Sequence, residues 1–255
     1  MEERLARERN TGLNTTGMRT WGLIFLVLAA AGKALLQNRL LNVNGSTDLI
    51  AVLNAEGGML IATIALMLQT IEGCAIPVFA CLTVEGAVHT GDFKKYLARV
   101  AALAVLTEIC YNVAMSGKIF ALSDRNPVFG VVLALILIWF YKRYENKSLA
   151  NILLKVMVTA AALVWALMLR VQHGAAFVAV TAALWAFRNK PNLRNLAGGG
   201  AMMLCCLISP FYMMAPLGFM IPHFYNGEKG SSSREFHYLV YPASLLIIGL
   251  IGKFL

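Results

Sequence analysis

Long apolar runs, separated by short polar or basic segments, make up most of the chain after residue 20. They cover residues 21–41, 57–89, 93–115, 127–144, 149–169, 172–188, 197–222 and 237–254. A helix of about 20 mainly apolar residues is long enough to cross the hydrocarbon core of a bilayer. The pattern therefore predicts an all-α protein, a polytopic transmembrane helix bundle of about eight spans. Because the run 57–89 exceeds one crossing, we expect its helix to tilt, kink at Pro77 or protrude.

The first 20 residues are polar and charged, and they have no apolar stripe at helical spacing. We interpret them as a polar cytoplasmic N-terminal segment, and the whole chain, 1–255, as a single integral-membrane domain. An alternative is a cleavable signal peptide, since an arginine-rich start is followed by a short apolar stretch and three alanines. Apolar character resumes after Lys33, which favours a permanent span. The longest outer loop is expected around residues 223–236, which contain a turn-rich segment.

The composition excludes a water-soluble protein. Hydrophobic residues make up 59% of the chain and charged residues 14%, and the mean hydropathy is +0.68. Soluble domains carry about 25% charged and about 45–50% apolar residues. The chain has too little polar surface to coat a body in water, so the lipid bilayer is its expected surrounding.

The net charge of +9 is better explained by membrane orientation than by nucleic-acid binding. Basic residues stand in short clusters between the apolar runs, whereas a nucleic-acid site gathers them on one face. Eight spans with a cytoplasmic N-terminus place fifteen Lys and Arg residues inside and six outside; Lys33, within a span, completes the 22. Cytoplasmic loops carry such an excess. We therefore predict a multi-pass membrane protein with both termini cytoplasmic and no nucleic-acid partner.

Ionisable residues inside spans cost about 2.5–3.5 kcal/mol each on insertion scales and by default mark function. Glu85 and His89 are four residues apart, so they share one face of a helix. A carboxylate beside histidine favours the imidazolium or fixes the tautomer of a neutral ring that acts as a general base. The alternative is that both side chains are simply solvated at headgroup level.

Two further carboxylates, Glu72 and Glu108, are predicted at similar depth in the outer half of antiparallel spans. If they lie close together, they must share a proton or bind a cation. Asn112 lies on the same helix face as Glu108, four residues later. Lys33 is the one intramembrane ammonium in this reading, and a neutralising pair of Lys33 with Glu72 or with Glu108 is the structural alternative.

Lys94, Lys95 and Arg99 form a compact basic cluster next to His89. Such a cluster recognises the phosphates of a cytoplasmic cofactor or, alternatively, orients the protein on anionic lipid. His173, His223 and His237 are interpreted as interfacial polar residues near the outer ends of spans. The cysteines fall in apolar stretches and are expected to be reduced and buried, and no His/Cys spacing indicates a metal site.

Several of these residues lie in segments that resemble the TraX family. The segments are residues 72–79, with Glu72, Pro77 and Phe79; 84–90, with Glu85 and His89; 95–99; 125–130, beginning with Arg125; and the Tyr241-Pro242 pair. The good match covers about residues 57–130. The resemblance implies a polytopic inner-membrane protein of a conjugation system, related to transmembrane acyltransferases; the founding member acetylates the N-terminus of F-type pilin. It also implies acetyl-CoA as co-substrate and a pilin or other envelope molecule as acceptor.

The chain departs from that family in its first span. Members usually carry an adjacent acid–histidine pair there, but residues 30–34 of this chain read Ala-Ala-Gly-Lys-Ala. The leading hypothesis is still a membrane-bound acetyltransferase. In it, Lys94, Lys95 and Arg99 bind the acyl-CoA phosphates, and Glu85 orients His89 as general base. Glu72 and Glu108 position or deprotonate the acceptor in the outer half of the bundle. A proton-coupled transporter using Glu72, Glu108 and Lys33, and a non-catalytic component of a conjugation system, are the alternatives.

Overall fold

The computed structural model describes residues 12–42, 49–121, 124–146, 148–230 and 234–254. In these ranges the chain is helical, with no β-strand beyond two isolated bridges, so the predicted all-α class is confirmed. The α-helices are α1 (Thr15–Ala31), α2 (Leu49–Asn54), α3 (Gly58–Glu72), α4 (Ala75–His89), α5 (Phe93–Ser116), α6 (Val128–Arg143), α7 (Leu149–Met168), α8 (Gly174–Ala186), α9 (Pro191–Cys206), α10 (Met220–His223) and α11 (Arg234–Ile251). A π-helix (Gly32–Leu40) continues α1, and short 3₁₀ helices cover Pro210–Tyr212 and Ala215–Phe219.

The first helix begins earlier than the apolar pattern predicts. Asn14 accepts a hydrogen bond of 2.9 Å from the Gly17 N–H through its side-chain oxygen, and this N-cap starts α1 at Thr15. Residues 15–20 therefore belong to the helix rather than to a polar segment. The remainder of that predicted segment, up to residue 11, lies outside the described residues.

Within the described ranges, four helical stretches are long and apolar enough to cross a membrane: Thr15–Leu40, Gly58–His89, Phe93–Ser116 and Leu149–Met168. Two shorter apolar helices, Gly174–Ala186 and Tyr238–Ile251, accompany them. The predicted number of about eight spans is therefore an overstatement, because several apolar runs form helices too short to cross alone.

Helix α7 shows most clearly that the bundle is surrounded by an apolar medium. Of its residues, only Ala166 is buried. Its exposed large apolar side chains are Leu149, Ile152, Leu153, Val156, Met157, Val164, Trp165, Leu167 and Met168. A patch of this extent on a protein in water marks a binding or membrane surface. Lipid contact satisfies it, in agreement with the spanning length of the helix.

The buried side chains form two cores. One joins α4, α6 and α8 through residues such as Val78, Leu135 and Val178. The other joins α1, α5 and α11 through residues such as Ala30, Tyr111 and Leu245. A cavity lined from both groups of helices lies between the two cores.

We name the two ends of the bundle by the loops they hold. The proximal end is where α4 ends and α5 begins, and the distal end is where α5 ends and α6 begins. The last turn of α6 returns to the proximal end, since Lys142 Nζ donates a 2.7 Å hydrogen bond to the Ala87 carbonyl near the end of α4.

The run 197–222, predicted as one span, enters the bundle and returns to the same end. Helix α9 starts at the proximal end, where Arg194 meets Glu85 of α4. The chain then reaches Tyr212 at the distal end and comes back through the second 3₁₀ helix and α10. Phe224 accepts a 2.8 Å hydrogen bond through its carbonyl from the N–H of Leu13, just before α1. The described part of the predicted outer loop 223–236 therefore lies beside the start of α1.

The return of residues 197–222 to the proximal end determines where the last described helix, α11, ends relative to the start of α1. Helix α1 begins at the proximal end, whereas α11 ends at the distal end, where Gly249 packs against Val113 and Ala114 of α5. In the described residues, the start of α1 and the end of α11 therefore lie at opposite ends of the bundle, and the cytoplasmic placement of both termini stays a prediction.

Candidate functional site

Glu72 lies at a break in the longest apolar stretch. It is the last residue of α3, and α4 begins at Ala75 after a turn at Gly73 and Cys74. Pro77 explains the break, because proline has no N–H to donate and its ring clashes with the carbonyl four residues earlier, that of Gly73. The kink expected at Pro77 thus takes the form of a two-helix break. The Glu72 side chain is 7% exposed, so the break places a carboxylate inside the bundle.

His173 of the α7–α8 loop faces this carboxylate. Its Nε2 lies 3.2 Å from Glu72 Oε2, outside regular hydrogen-bond geometry, and its Nδ1 lies 3.0 Å from the Tyr212 hydroxyl. The His173 backbone has φ of +55°, in the left-handed region that non-glycine residues rarely adopt. Gln172, the preceding residue, donates from Nε2 to both Glu72 oxygens, at 3.1 and 3.0 Å. The four side chains form an acid–imidazole–phenol cluster with an amide behind it, in which Glu72 is buried and the other three are partly buried.

Backbone pairing holds this loop in place. The N–H of Arg125 donates to the Arg170 carbonyl, and the N–H of Gln172 donates to the Arg125 carbonyl, both at 2.9 Å. These bonds fix the loop before α8 against the loop before α6 independently of the side chains. The histidine that was interpreted as interfacial is therefore built into the interior: its side chain is 19% exposed.

Glu108 has its own partners, Arg125 and Asn126. Arg125 Nη1 lies 3.0 Å from Glu108 Oε1, and Asn126 donates to Oε2 from its backbone N–H at 3.0 Å and from Nδ2 at 2.7 Å. Glu108 is thus paired with a cation, which is the other outcome that the sequence prediction left open. Asn112 donates to the Ile119 carbonyl at 3.4 Å, and its Oδ1 finds no partner among the described residues.

Lys33 pairs with neither predicted carboxylate. Its Nζ lies 3.6 Å from Asp124 Oδ2, in the loop before α6, and Asp124 is 54% exposed. The sequence prediction missed this partner because residues 116–126 were read only as a loop. The ammonium is neutralised at the distal surface, outside the Glu72 cluster.

The cavity between the two cores has a volume of about 160 Å³. Glu72, Gln172 and His173 line one of its ends. The apolar middle is lined by residues including Leu23, Ile76, Phe79, Leu103, Val131 and Phe177. Arg19, Tyr96 and Tyr238 line the other end. Tyr96 and Thr107 of α5 both line it, and eleven residues of helix span about 16 Å.

The predicted pair of Glu85 and His89 forms, but at the proximal end and outside this cavity. His89 Nδ1 lies 3.4 Å from Glu85 Oε2, and the His89 side chain is 65% exposed. The other carboxylate oxygen of Glu85 lies 2.8 Å from Nη1 of Arg194, whose side chain is 13% exposed. Glu85 is thus part of a mainly buried ion pair between α4 and α9.

The predicted phosphate-binding residues lie on the first turns of α5. Lys94 and Lys95 are exposed; Lys95 Nζ lies 3.3 Å from Asp92, and Arg99 donates to the Lys95 carbonyl at 3.2 Å. The backbone N–H of Lys95 donates to the Asp92 carboxylate, which lowers the pKa of Asp92. The cluster is accessible to an anionic ligand or to lipid headgroups. No group of three His, Cys, Asp or Glu side chains within the described ranges could hold a metal ion.

The family comparison covers far more of the chain than the quoted motifs. The TraX protein family matches residues 48–252. Neither the comparison with curated proteins nor that with solved structures gives a match. The matched range includes both partners of the buried pair, Glu72 and His173, and three of the four long apolar helices. The chain therefore belongs to the TraX family.

Proposed function

We propose that this protein is an integral-membrane acyltransferase that takes an acetyl group from acetyl-CoA and transfers it to an acceptor. The observation that carries the proposal is the buried Glu72–His173 pair at one end of the cavity. An acid–histidine pair is what the first span lacks. Here the same chemistry is assembled from α3 and the loop before α8, about 100 residues apart in the chain.

The geometry supports His173 as the general base. With Nε2 3.2 Å from the Glu72 carboxylate, a proton on Nε2 leaves Nδ1 as the basic nitrogen, as in other histidines beside an acid. The Tyr212 hydroxyl contacts Nδ1 in this structure. In the reaction, Nδ1 takes the proton from the acceptor hydroxyl or amine as that atom attacks the thioester carbonyl. The carbon–sulfur bond then breaks, and the imidazolium returns the proton to the departing thiolate.

The shape of the cavity supports a donor whose charge is far from its reactive carbonyl. Arg19 lies at the end opposite His173, and a guanidinium matches phosphate geometry. Acyl-CoA carries its phosphates and its thioester at opposite ends of a long arm. A phospholipid carries its ester next to its phosphate, so a phosphate at Arg19 would leave that ester far from His173. The exposed Lys94, Lys95 and Arg99 would then contact the outer phosphates of the nucleotide.

The distribution of charge supports a cytoplasmic proximal end. The distal end holds Arg39, Lys118, Arg125, Arg170 and Lys253. The other described Lys and Arg residues, except Lys33, lie nearer the proximal end, and cytoplasmic ends carry such an excess. The donor would then enter from the cytoplasm, and an envelope acceptor such as a pilin would be modified near the distal end. This orientation fits an inner-membrane protein of a conjugation system.

Release of CoA thiol from acetyl-CoA, by the purified full chain in lipid nanodiscs, tests the proposal with water as surrogate acceptor. We expect the wild type to release thiol and His173→Gln to lose about 10²–10⁴-fold in rate, the usual contribution of a positioned acid or base. His89→Gln is the matched control and should retain the wild-type rate. If His89→Gln loses thiol release and His173→Gln retains it, the general base is His89 of the Glu85–His89 pair at the proximal end. No thiol release by the wild type, with or without candidate acceptors, would count against the function.

A proton-coupled transporter is the second candidate, and the break beside Glu72 favours it. Transporters build their sites at interrupted helices, where a charged residue faces the interior. Glu72→Gln separates the two functions better than Glu108→Gln, because Arg125 and Asn126 already bind Glu108. Proton flux into liposomes that is abolished by Glu72→Gln and independent of CoA would support transport over acyl transfer.

A further inference from the structure

The hydrogen bonds around Glu72 continue through Gln172 to Tyr111 of α5. The Tyr111 hydroxyl donates to Gln172 Oε1 at 2.7 Å, and the Gln172 amide nitrogen donates to both oxygens of Glu72. His173 lies on the other side of the same carboxylate, 3.2 Å away. Two helices, α3 and α5, and the loop before α8 thus contribute to one chain of contacts that ends at the imidazole.

The orientation of the Gln172 amide is linked to the charge of Glu72. An amide nitrogen can only donate, so the observed orientation suits a carboxylate that accepts at both oxygens. The reversed amide would place its oxygen against the carboxylate, which is favourable only if Glu72 is protonated. A hydroxyl that donates to the amide oxygen stabilises the observed orientation. Tyr111 therefore acts on Glu72 through Gln172.

We propose that Gln172 and Tyr111 are positioning residues that hold Glu72 as an aligned carboxylate and thereby select the tautomer of His173 with the proton on Nε2. The catalytic value of that tautomer rests on the proposed function; the tautomer itself does not. With Nε2 protonated, Nδ1 is the nitrogen able to accept a proton from the Tyr212 side. Without the amide, the Glu72 side chain is free to rotate, and the preference for one tautomer weakens.

The two side chains are separable from the fold around them. The loop containing Gln172 is fixed by its backbone bonds to the Arg125 loop, which a side-chain change leaves in place. Tyr111 is 2% exposed and packs in the core of α1, α5 and α11, so Tyr111→Phe keeps the ring and removes only the hydroxyl. Tyr111 does not line the cavity, and its effect on a bound donor would have to pass through Gln172.

The ring ¹⁵N resonances of His173 test the inference directly. The full chain is labelled on its four histidines, and the His173 signals are assigned by their absence in His173→Gln. We expect the wild type to give one protonated and one unprotonated ring nitrogen. In Tyr111→Phe and Gln172→Leu, the two signals should approach each other as the tautomers mix. Unchanged His173 signals in both variants would overturn the inference, whether or not the protein transfers acyl groups.

Kinetics give a second readout if the wild type is active. Tyr111→Phe should lower kcat roughly tenfold, a fraction of the contribution of a positioned base, and leave KM for acetyl-CoA unchanged. Tyr141→Phe is the matched control, since it removes another buried hydroxyl that bonds a side chain, that of Thr159. Gln69→Leu removes an amide that bonds Gln37 and serves as control for Gln172→Leu. Equal losses in the variants and their controls would indicate general destabilisation and contradict the assignment.

Discussion

Among the residues that the structure describes, two glutamate–histidine pairs form, and the exposure and partners of the two pairs differ more than their contact distances. Glu85 and His89 are one turn apart on α4, and their contact of 3.4 Å follows from helix geometry alone. Glu72 and His173 come from distant parts of the chain and meet at 3.2 Å inside the bundle. His89 is 65% exposed and His173 is 19% exposed. Proximity can thus come from spacing along one helix, whereas an enclosed pair requires tertiary structure.

The partners of the two carboxylates indicate different roles. Glu85 is bound by the guanidinium of Arg194, which links α4 to α9. Glu72 is bound by the amide of Gln172 and approached by an imidazole, neither of which carries a fixed charge. A guanidinium stays protonated and forms a permanent ion pair, whereas an imidazole can give or take a proton. Under the proposed function, the pair Glu85–His89 (the proximal pair) is structural and the pair Glu72–His173 (the distal pair) takes part in the chemistry.

Arg194→Met tests whether the Glu85–His89 pair is structural, and we expect it to have the largest effect on stability. It leaves the mainly buried Glu85 without its cation, and breaking a buried pair on one side costs about 3–5 kcal/mol. We expect a loss of about 3 kcal/mol in the free energy of unfolding, at the lower limit because His89 remains near Glu85. Thermal unfolding of the detergent-solubilised protein measures the change, and activity per folded molecule should be retained.

The double variant Arg194→Met with Glu85→Leu is the control for that experiment. Replacing both members of a buried pair by apolar residues is often neutral, so most of the stability should return. A double variant that stays unstable, or one that folds but loses thiol release, would contradict a purely structural role of the proximal pair.

Much of the fold could be predicted from the sequence because it depends on local pattern. Apolar runs predicted the helical class and the long helices. A kink at Pro77 was one of three expectations for the longest run, and the break lies one turn earlier, at Gly73 and Cys74. The return of residues 197–222 was missed, since hydrophobicity does not distinguish a crossing from an entry and return. Only long-range contacts, such as that of Leu13 with Phe224, determine which end the chain reaches.

The part of the site that could be predicted consists of residues that are unusual in their own stretch of sequence. Glu72 stood out because a carboxylate in an apolar run is costly. His173 stood next to an apolar run, at a position where an interfacial residue is common, and its partner lies 101 positions earlier. The left-handed backbone at His173 has no sequence signature comparable to a glycine. Gln172 and Tyr111 are ordinary residues whose role depends on the contact between them.

We expect a smaller loss of stability from Gly218→Ala. This change lies in residues 197–222, which enter the bundle and return, and it disturbs the Glu72–His173 pair through them. A Cβ at Gly218 would lie 2.3 Å from the Cys74 carbonyl oxygen and 2.7 Å from Pro77, so the second 3₁₀ helix must move away from α4. Overpacking of this kind costs about 1–3 kcal/mol. Because the same segment holds Tyr212 against His173, both the melting temperature and the rate of thiol release should fall.

Gly199→Ala is the matched control for this change. A Cβ at that position of α9 meets nothing within 4 Å, and alanine is favoured over glycine in a helix by up to about 1 kcal/mol. Gly199→Ala should therefore be neutral or slightly stabilising, with normal activity. If Gly218→Ala also leaves the melting temperature and the rate of thiol release unchanged, the segment 197–222 does not hold the Glu72–His173 pair in place.

The smallest effect is expected at Asp92, the exposed N-cap of α5 at the proximal end. The backbone N–H of Lys95, followed by the Lys95 side chain and the Lys94 charge, lowers the pKa of Asp92 below its ordinary value of about 3.9. Its stabilising effect is therefore present above that ordinary value and is lost as the pH falls through the lower, folded-state pKa. Asp92→Asn keeps a capping oxygen but has no charge to lose. The melting temperatures of wild type and Asp92→Asn should differ slightly at pH 7 and converge as the pH falls through the folded-state pKa of Asp92, with the difference reduced by salt because the group is exposed. A difference that persists unchanged at low pH would mean that the charge of Asp92 contributes nothing to the start of α5.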